Sequence, residues 1–322
     1  MKVTNRMIHK DVRLIGSVLR HFTKGTTAEG IRKSQAGTEK KTGRYRAKQS
    51  DMEKLYLKRE DGSEQRMVIL KPKHSYERVP AVLFLHGGGY ALGCPEEKIG
   101  FMEQIMSYAD CVMFAPVYML SVYKPYPAAL EDAYRALLWV RDHCGEYGCR
   151  QDQIFVMGES GGGGLCAALT ILARDKKEVN IAFQMPLFPQ LDDRMQTESA
   201  KDNDAPMADA NLLEVCWKLY LGDLYGTDKV PAYAAPARLD DFSGLPPAYT
   251  YVGTIDPLYD ETRIYFEQLK AAGVEARADF YEGGFHGFDA LGANKSIGKR
   301  CHENLCLAFR YAVEHYFKPQ EN

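Results

Sequence analysis

The chain has 322 residues, of which 45% are hydrophobic and 26% are charged, with a formal net charge of -2. It is long enough to bury a full core, and no apolar run reaches the roughly 18 residues of a membrane-spanning helix. Charged residues also interrupt the N-terminus, which excludes the unbroken apolar stretch of a secretory signal, so we expect a cytoplasmic protein.

The net charge conceals an asymmetry between the N-terminal segment and the rest of the chain. Residues 1–50 carry 13 Lys or Arg against 3 Asp or Glu, a charge of +10, so the remainder carries -12. A basic segment can bind nucleic acid or an anionic membrane, but this one lacks interleaved aromatic residues. We therefore expect a basic arm or lid lying on its own acidic domain, with no nucleic-acid partner.

The first elements are a helix, an irregular segment and a hairpin. Residues 1–24 are amphipathic, and residues 25–49 have no clear periodicity, which predicts a mobile connection or an incomplete lid. Alternating stretches at Met52–Arg59 and Arg66–Lys71 flank Asp61-Gly62, which predicts an antiparallel hairpin. The apolar positions at helical spacing in the first segment are Ile8, Val12, Ile15, Leu19 and Phe22.

From Ala81 onward strands and helices alternate, and the short apolar run Ala81–Leu85 is typical of a strand buried on both faces. This alternation predicts a mostly parallel sheet with helices on both faces. Further strands are predicted at Cys111–Val117, Gln153–Met157, Ile181–Leu187, Ala248–Val252 and Ala276–Tyr281. Helices are predicted at Phe101–Tyr108, Ala128–His143, Leu165–Ala173, Asp260–Ala272 and Ile297–Phe317.

About sixty residues separate the strands ending near Leu187 and starting near Ala248, and they contain a probable helix at Ala208–Tyr220. Long insertions in α/β sheets usually carry function. The eight cysteines match neither a CxxC redox motif nor zinc-finger spacing, which favours buried free thiols and no metal site.

The stretch Gly158-Glu159-Ser160-Gly161, followed by Gly162 to Gly164, has the Gly-x-Ser-x-Gly pattern of a nucleophile on a strand-to-helix turn. Four glycines opening a helix should cost about 3 to 4 kcal/mol relative to alanine, so the run requires a reason. A strained turn with N–H groups aimed at a reacting oxygen would supply one. A glycine loop without chemistry, or one that holds a phosphate, is the alternative.

Three further features follow predicted strands. His86-Gly87-Gly88-Gly89-Tyr90 can direct backbone N–H groups at an oxyanion. Asp256 follows the strand Ala248–Val252, although Asp260 and Glu261 compete with it for the role of catalytic acid. His286 is bracketed by glycines. The order Ser160, Asp256, His286 supplies a nucleophile, an orienting acid and a base, as in α/β-hydrolases.

Five motifs between Ala81 and Gly287 resemble the hormone-sensitive lipase family of α/β-hydrolases, including its bacterial carboxylesterases. They are His86-Gly87-Gly88-Gly89-Tyr90, Tyr126-Pro127-Ala128-Ala129-Leu130-Glu131-Asp132-Ala133, Gly158-Glu159-Ser160-Gly161-Gly162, Asp256-Pro257-Leu258-Tyr259-Asp260-Glu261 and His286-Gly287-Phe288. The resemblance implies an α/β-hydrolase fold with an eight-stranded, mostly parallel sheet and a helical cap. That cap would comprise residues 1–50 and an insertion at about 192–235 within the hydrolase domain of residues 51–322.

The resemblance also assigns the site residues. It implies that Asp256, rather than Asp260 or Glu261, is the catalytic acid, and that the oxyanion donors are the N–H groups of Gly88, Gly89 and Gly161. The chain departs from the family at Glu159 and Gly161, where Asp and Ala are usual, so we expect a more flexible turn. No metal or cofactor is implied.

Together these features predict a serine carboxylesterase that acts on small-molecule esters through an acyl-enzyme. Tyr90, Tyr118, Met119 and Tyr123 suggest a confined pocket for acetyl to about hexanoyl groups, although these residues fit a core role equally well. An amide or formamide hydrolase with the same triad is the alternative, and a non-catalytic receptor is disfavoured because the triad is complete. Assembly into a homo-oligomer is left open.

Overall fold

An eight-stranded sheet forms the centre of the protein, in the strand order β1-β2-β4-β3-β5-β6-β7-β8. The structure, a computed structural model, describes residues 1–23 and 25–320, with only the backbone described at 21–23. The strands are β1 Ser50–Lys58, β2 Glu64–Pro72, β3 Val79–Leu85, β4 Val112–Pro116, β5 Cys149–Glu159, β6 Phe183–Leu187, β7 Ala248–Gly253 and β8 Ala276–Tyr281.

The strand directions confirm the predicted sheet. β1 and β2 form an antiparallel hairpin, β2 pairs antiparallel with β4, and the other neighbouring strands are parallel. Every predicted strand is present, and the main difference in bounds is that β5 begins at Cys149 instead of Gln153. The parallel strands end at one edge of the sheet, where the loops carrying the candidate residues follow them.

Helices cover both faces of the sheet. On β3, Leu83 and Leu85 pack in the core cluster that contains residues of α4 and α5, whereas Val82 and Phe84 pack with α3 and α9. This alternation follows from the two-residue period of a strand, and it explains why β3 is apolar throughout. The helices are α1 Arg13–Thr23, α2 Ala28–Glu39, α3 Ile99–Met106, α4 Ala128–His143, α5 Gly161–Lys176, α6 Ala210–Leu221, α7 Tyr259–Ala271, α8 Phe288–Leu291 and α9 Ser296–His315.

The N-terminal segment differs from the prediction in two places: it has an additional helix, and its first helix starts later than expected. The prediction of an irregular connection at residues 25–49 is wrong, because α2 occupies Ala28–Glu39 and begins where the Thr27 hydroxyl accepts a hydrogen bond from the Gly30 N–H. The amphipathic stretch at residues 1–24 is helical only from Arg13, and Ile8 and Val12 are buried in the turns before it. Lys24 lies outside the described residues.

Backbone hydrogen bonds attach this basic segment to the rest of the chain. The Val3 N–H donates to Asp204 Oδ1 at 2.7 Å, and the His9 N–H donates to the Gly283 carbonyl at 2.9 Å. Asp204 belongs to the interval between β6 and β7, where α6 confirms the predicted helix. The eight cysteines are free and buried, as predicted. In the described part of the chain, no helix is both long and apolar enough to cross a bilayer.

The start of α5 packs directly against neighbouring backbone. The helix begins at Gly161 instead of Leu165, so the glycines lie inside its first turns. A Cβ atom on Gly162 would overlap the carbonyl oxygens of Leu85 and His86, and one on Gly164 would overlap the Tyr90 hydroxyl and the Gln190 carbonyl. Close approach of backbone therefore offsets the low helix propensity of glycine here.

We expect Gly164→Ala to lower the free energy of unfolding by about 2 kcal/mol or more, because the added methyl group overpacks a buried contact. Gly37→Ala on α2 is the matched control, since a Cβ atom there would meet no atom of another described element within 4 Å. That control should be neutral or stabilising by up to about 1 kcal/mol. Urea unfolding of both variants measures the difference, and equal stabilities would contradict the packing argument.

Candidate active site

Ser160 lies on a sharp turn between β5 and α5. Its backbone has φ 53° and ψ -118°, a conformation that costs a non-glycine residue about 1 to 3 kcal/mol. Three backbone hydrogen bonds hold it there: the Ser160 N–H donates to the Leu187 carbonyl, and the Ser160 carbonyl accepts from Gly164 and Gln190 at 2.9 and 3.0 Å. The side chain of a residue held in this way projects from the turn, as a nucleophile requires.

The glycine loop after β3 packs against the start of α5. Gly88 and Gly89 have φ values of 121° and 60°, which favour glycine, and their N–H groups donate to no acceptor among the residues that the structure describes. A Cβ atom on Gly161 would lie 2.9 Å from the Gly89 nitrogen, so these backbones are in contact. Gly161 is the first residue of α5, and its N–H therefore lies outside the intrahelical hydrogen bonds.

Asp256 and His286 form a hydrogen-bonded pair at the ends of neighbouring strands. Asp256 follows β7 and is 1% exposed, and its Oδ2 lies 2.9 Å from Nδ1 of His286, which follows β8. The Leu258 N–H donates to the other carboxylate oxygen at 2.9 Å. Because Nδ1–H donates to the carboxylate, Nε2 of the neutral ring is left as a proton acceptor.

The two competing carboxylates are engaged elsewhere. Asp260 Oδ2 accepts a hydrogen bond from the Ser199 N–H at 2.8 Å. Glu261 is buried, and its Oε1 accepts from the Leu191 N–H at 2.6 Å. Of these three acidic residues, the structure thus brings Asp256 to the histidine.

A cavity of about 470 Å³ joins these groups. Ser160, His286, Gly88 and Gly89 line it, together with apolar side chains of Phe188, Met207, Leu212, Leu213, Cys216 and Leu291. Its volume lies within the range of small-molecule sites, roughly 300 to 1,000 Å³. Ser34 and Thr38 of α2 and the α6 side chains contribute to its wall, so the N-terminal segment and the interval after β6 both reach the site.

The aromatic residues proposed for the acyl pocket are not part of this wall. Tyr90 is buried and stacks on Tyr220 with ring centroids 3.9 Å apart. Tyr118 is buried and stacks on His86, while Tyr123 is exposed and donates to Glu39. Tyr90 and Tyr118 are packing residues and Tyr123 lies on the surface, so the apolar wall comes from other parts of the chain.

Comparison with known proteins identifies the family. A model of the alpha/beta hydrolase fold matches residues 82–290. The chain belongs to the α/β-hydrolase family. The resemblance to its hormone-sensitive lipase branch and the predicted fold class are both confirmed, since the matched range contains the glycine loop, the serine turn and the Asp-His pair.

Similar proteins within this family are esterases. The chain is 35% identical over 210 residues to Esterase LipI of Mycobacterium tuberculosis, and the aligned region covers 65% of each chain. It is 32% identical over 215 residues to Carboxylesterase NlhH of the same species, covering 66% of this chain and 67% of the relative. The solved structure of a Bacterial Heroin Esterase superposes with a TM-score of 0.88 at 29% identity, covering 97% of this chain and 99% of that one.

The two histidines near the site of this α/β-hydrolase, His86 and His286, have different environments. Burial alone would lower the pKa of His286, but the charge and hydrogen bond of Asp256 outweigh it and raise that pKa above its ordinary value of 6.5. Burial lowers the pKa of His86 to about 4, because the hydrogen bond to the Gly87 carbonyl and the charge of Glu96 offset only part of the desolvation. His86 is therefore a neutral packing residue, whereas the Asp256 carboxylate favours the protonated form of His286.

Charged residues that the sequence did not single out also line the cavity. Lys98 lies 2.6 Å from Oε2 of Glu159, the residue before Ser160, and Asp289 of α8 lies beside them in the wall. The departure from the usual family residue at Glu159 was the signal available in the sequence. Among the described residues, no group of three or more His, Cys, Asp or Glu side chains is arranged to hold a metal ion.

We expect the His286 ring to titrate with a midpoint above 6.5 and the His86 ring with a midpoint near 4. Asp256→Asn should lower the His286 midpoint, because it removes the carboxylate charge that favours the protonated ring. A pH titration by NMR of protein labelled at histidine measures both values, with His286→Gln and His86→Gln to assign the signals. A His286 midpoint below 6.5 in the unsubstituted protein would contradict this pairing.

Proposed function

We propose that the protein is a serine carboxylesterase that hydrolyses small-molecule esters through an acyl-enzyme. The observation that carries this proposal is that a serine on a strained turn and a carboxylate-paired histidine line one cavity. The esterases LipI and NlhH and the Bacterial Heroin Esterase support the same class of reaction. The alignments span about 65% of the length of these curated relatives.

In the proposed reaction, Ser160 Oγ attacks the ester carbonyl carbon while Nε2 of His286 takes its proton. Asp256 holds the imidazole in the required tautomer and stabilises the imidazolium. The N–H groups of Gly88, Gly89 and Gly161 stabilise the oxyanion, and the imidazolium returns the proton to the departing alcohol. Water then repeats the sequence on the acyl-enzyme, which releases the acid and requires no metal or cofactor.

Residues 1–50 and about 192–235 are proposed to form a cap over this site. Contributions of Ser34 and Thr38 of α2, and of Leu212 on α6, to the cavity wall support it. The Asn211 side-chain amide also donates to the Thr26 carbonyl at 2.9 Å, which links the two segments. A cap of this kind would exclude water and select the substrate.

The substrate class we propose is an ester with an acyl group from acetyl to about hexanoyl. The supporting observation is the cavity of about 470 Å³, which must hold both the acyl and alcohol parts of the substrate. Apolar residues such as Phe188 and Leu213 suit an alkyl chain, whereas long chains would exceed the space.

We expect Ser160→Ala to lower kcat for p-nitrophenyl acetate by about 10⁴-fold or more, because the nucleophile is lost while the fold remains. Ser63→Ala is the control, since Ser63 lies in the exposed turn between β1 and β2. Initial rates and urea unfolding of both variants measure activity and stability separately. Activity of Ser160→Ala within tenfold of the unsubstituted protein would rule out the proposed mechanism.

We also expect kcat/KM on p-nitrophenyl esters to be highest between acetyl and hexanoyl and to fall steeply toward palmitoyl, because the cavity restricts the chain. The matched formamide of one aryl ester should react more slowly than that ester. A maximum at long chains would contradict the proposed pocket, and faster hydrolysis of the formamide would favour an amide hydrolase.

A further inference from the structure

A buried ion pair lies next to the nucleophile. Glu159 is 3% exposed and occupies the end of β5, directly before Ser160. Its Oε2 lies 2.6 Å from Nζ of Lys98, which precedes α3 and has one third of its side chain exposed. Both residues line the cavity that Ser160 and His286 share. The pair is therefore in the wall of the site, on the sequence neighbour of the reacting residue.

An unpaired carboxylate at this position would work against ester hydrolysis. A negative charge beside Ser160 opposes the charge that develops on the oxyanion. It also favours the protonated form of His286, which cannot act as a base. The Lys98 ammonium reduces both effects because it places a positive charge beside that carboxylate.

We propose that Lys98 is a positioning residue for the hydrolysis proposed above. Its ammonium holds the Glu159 carboxylate in the cavity wall and offsets its charge beside Ser160 and His286. The inference rests on the proposed function, because it concerns the same reacting groups, but its electrostatic part can be measured without turnover.

Three charged groups on different parts of the chain, Asp256, Asp289 and Lys98, act on His286. Burial lowers the pKa of His286, Asp256 and Asp289 raise it, and Lys98 lowers it. Asp289 also accepts hydrogen bonds from Tyr251 and pairs with His302, so its carboxylate is not available to neutralise Lys98 fully. The aromatic contact of the His286 ring is the edge-to-face packing with Phe188, which carries no charge.

Lys98 retains its charge in this setting. Burial lowers the pKa of Lys98, but the nearby Glu159 carboxylate outweighs it and raises that pKa above its ordinary value. The ammonium is consequently present throughout the range in which His286 titrates. Removing the charge of Lys98 and removing the charge of Glu159 should therefore shift the titration midpoint of His286 in opposite directions.

The test compares two single charge substitutions with the double substitution in the full chain. The quantities measured are the fall of kcat/KM at acidic pH and the midpoint of the NMR titration of His286. Lys98→Met should raise the His286 midpoint by about 0.5 to 1 unit, and Glu159→Gln should lower it. The double variant Lys98→Met/Glu159→Gln should return it close to the original value. A role limited to packing would not produce shifts of opposite sign.

Two controls separate charge from stability. Lys98→Arg keeps the charge and should leave the midpoint unmoved. Arg238 and Asp193 form an ion pair 2.7 Å apart that is similarly buried and lies outside the cavity wall. Arg238→Met leaves the Asp193 carboxylate without this partner. It should lower stability without moving the His286 midpoint.

An unmoved midpoint in Lys98→Met, or an equal shift in Arg238→Met, would overturn the proposal. If Lys98→Met does not fold, Glu159→Gln carries the test, and a midpoint that fails to fall contradicts the proposal. The NMR midpoints distinguish this outcome from a failure of the proposed function. If Ser160→Ala hydrolyses esters as fast as the unsubstituted protein, the proposed function is refuted. The charge coupling can still be measured from the NMR midpoints in that case.

Discussion

The close approach of the α5 start to the ends of β3 and β6 is the constraint on which the site depends. Gly162 leaves no room for a side chain beneath the Leu85 and His86 carbonyls, so the helix begins directly at the strand end. Ser160 must then take a left-handed backbone conformation to connect β5 with α5. The same approach places Gly161 against Gly89, which brings two glycine amides into one small volume.

That packing fixes the positions of the site residues, whereas hydrogen-bond partners determine the pKa values of the two histidines, His86 and His286. His86 is buried and the His286 side chain is 15% exposed, and the first ring faces a backbone carbonyl whereas the second faces a carboxylate. A carbonyl compensates little of the desolvation of an imidazolium, whereas a carboxylate at 2.9 Å compensates it fully. The partner of each ring, a carbonyl for His86 and a carboxylate for His286, therefore sets how readily that ring is protonated.

The sequence predicts most of this body and the order of its candidate residues. Continuous apolar strands such as β3 and glycine runs after strands are local patterns, so they can be identified without long-range information. The helix α2 could not be identified in this way, because it buries only Ile31 and Gln35 and so has no apolar stripe. The Lys98–Glu159 pair was missed because its two residues are distant in sequence, and no local pattern marks Lys98 as the partner of Glu159.

The helices α2 and α6, which contribute to the cavity wall, also contact the glycine loop after β3. Gln35 of α2 accepts a hydrogen bond from the Gly93 N–H at 2.8 Å, at the end of the glycine loop that begins at His86. From the other side, Tyr220 of α6 stacks on Tyr90 in the same loop, and Tyr90 donates to the Gln190 carbonyl.

The helices that supply part of the cavity wall thus also hold the loop whose amides would stabilise the oxyanion. A substitution that moves α2 or α6 would change the space for the substrate and the direction of those amides together. The packing of α2 and α6 on the loop therefore has to meet two requirements, the shape of the pocket and the direction of the loop amides.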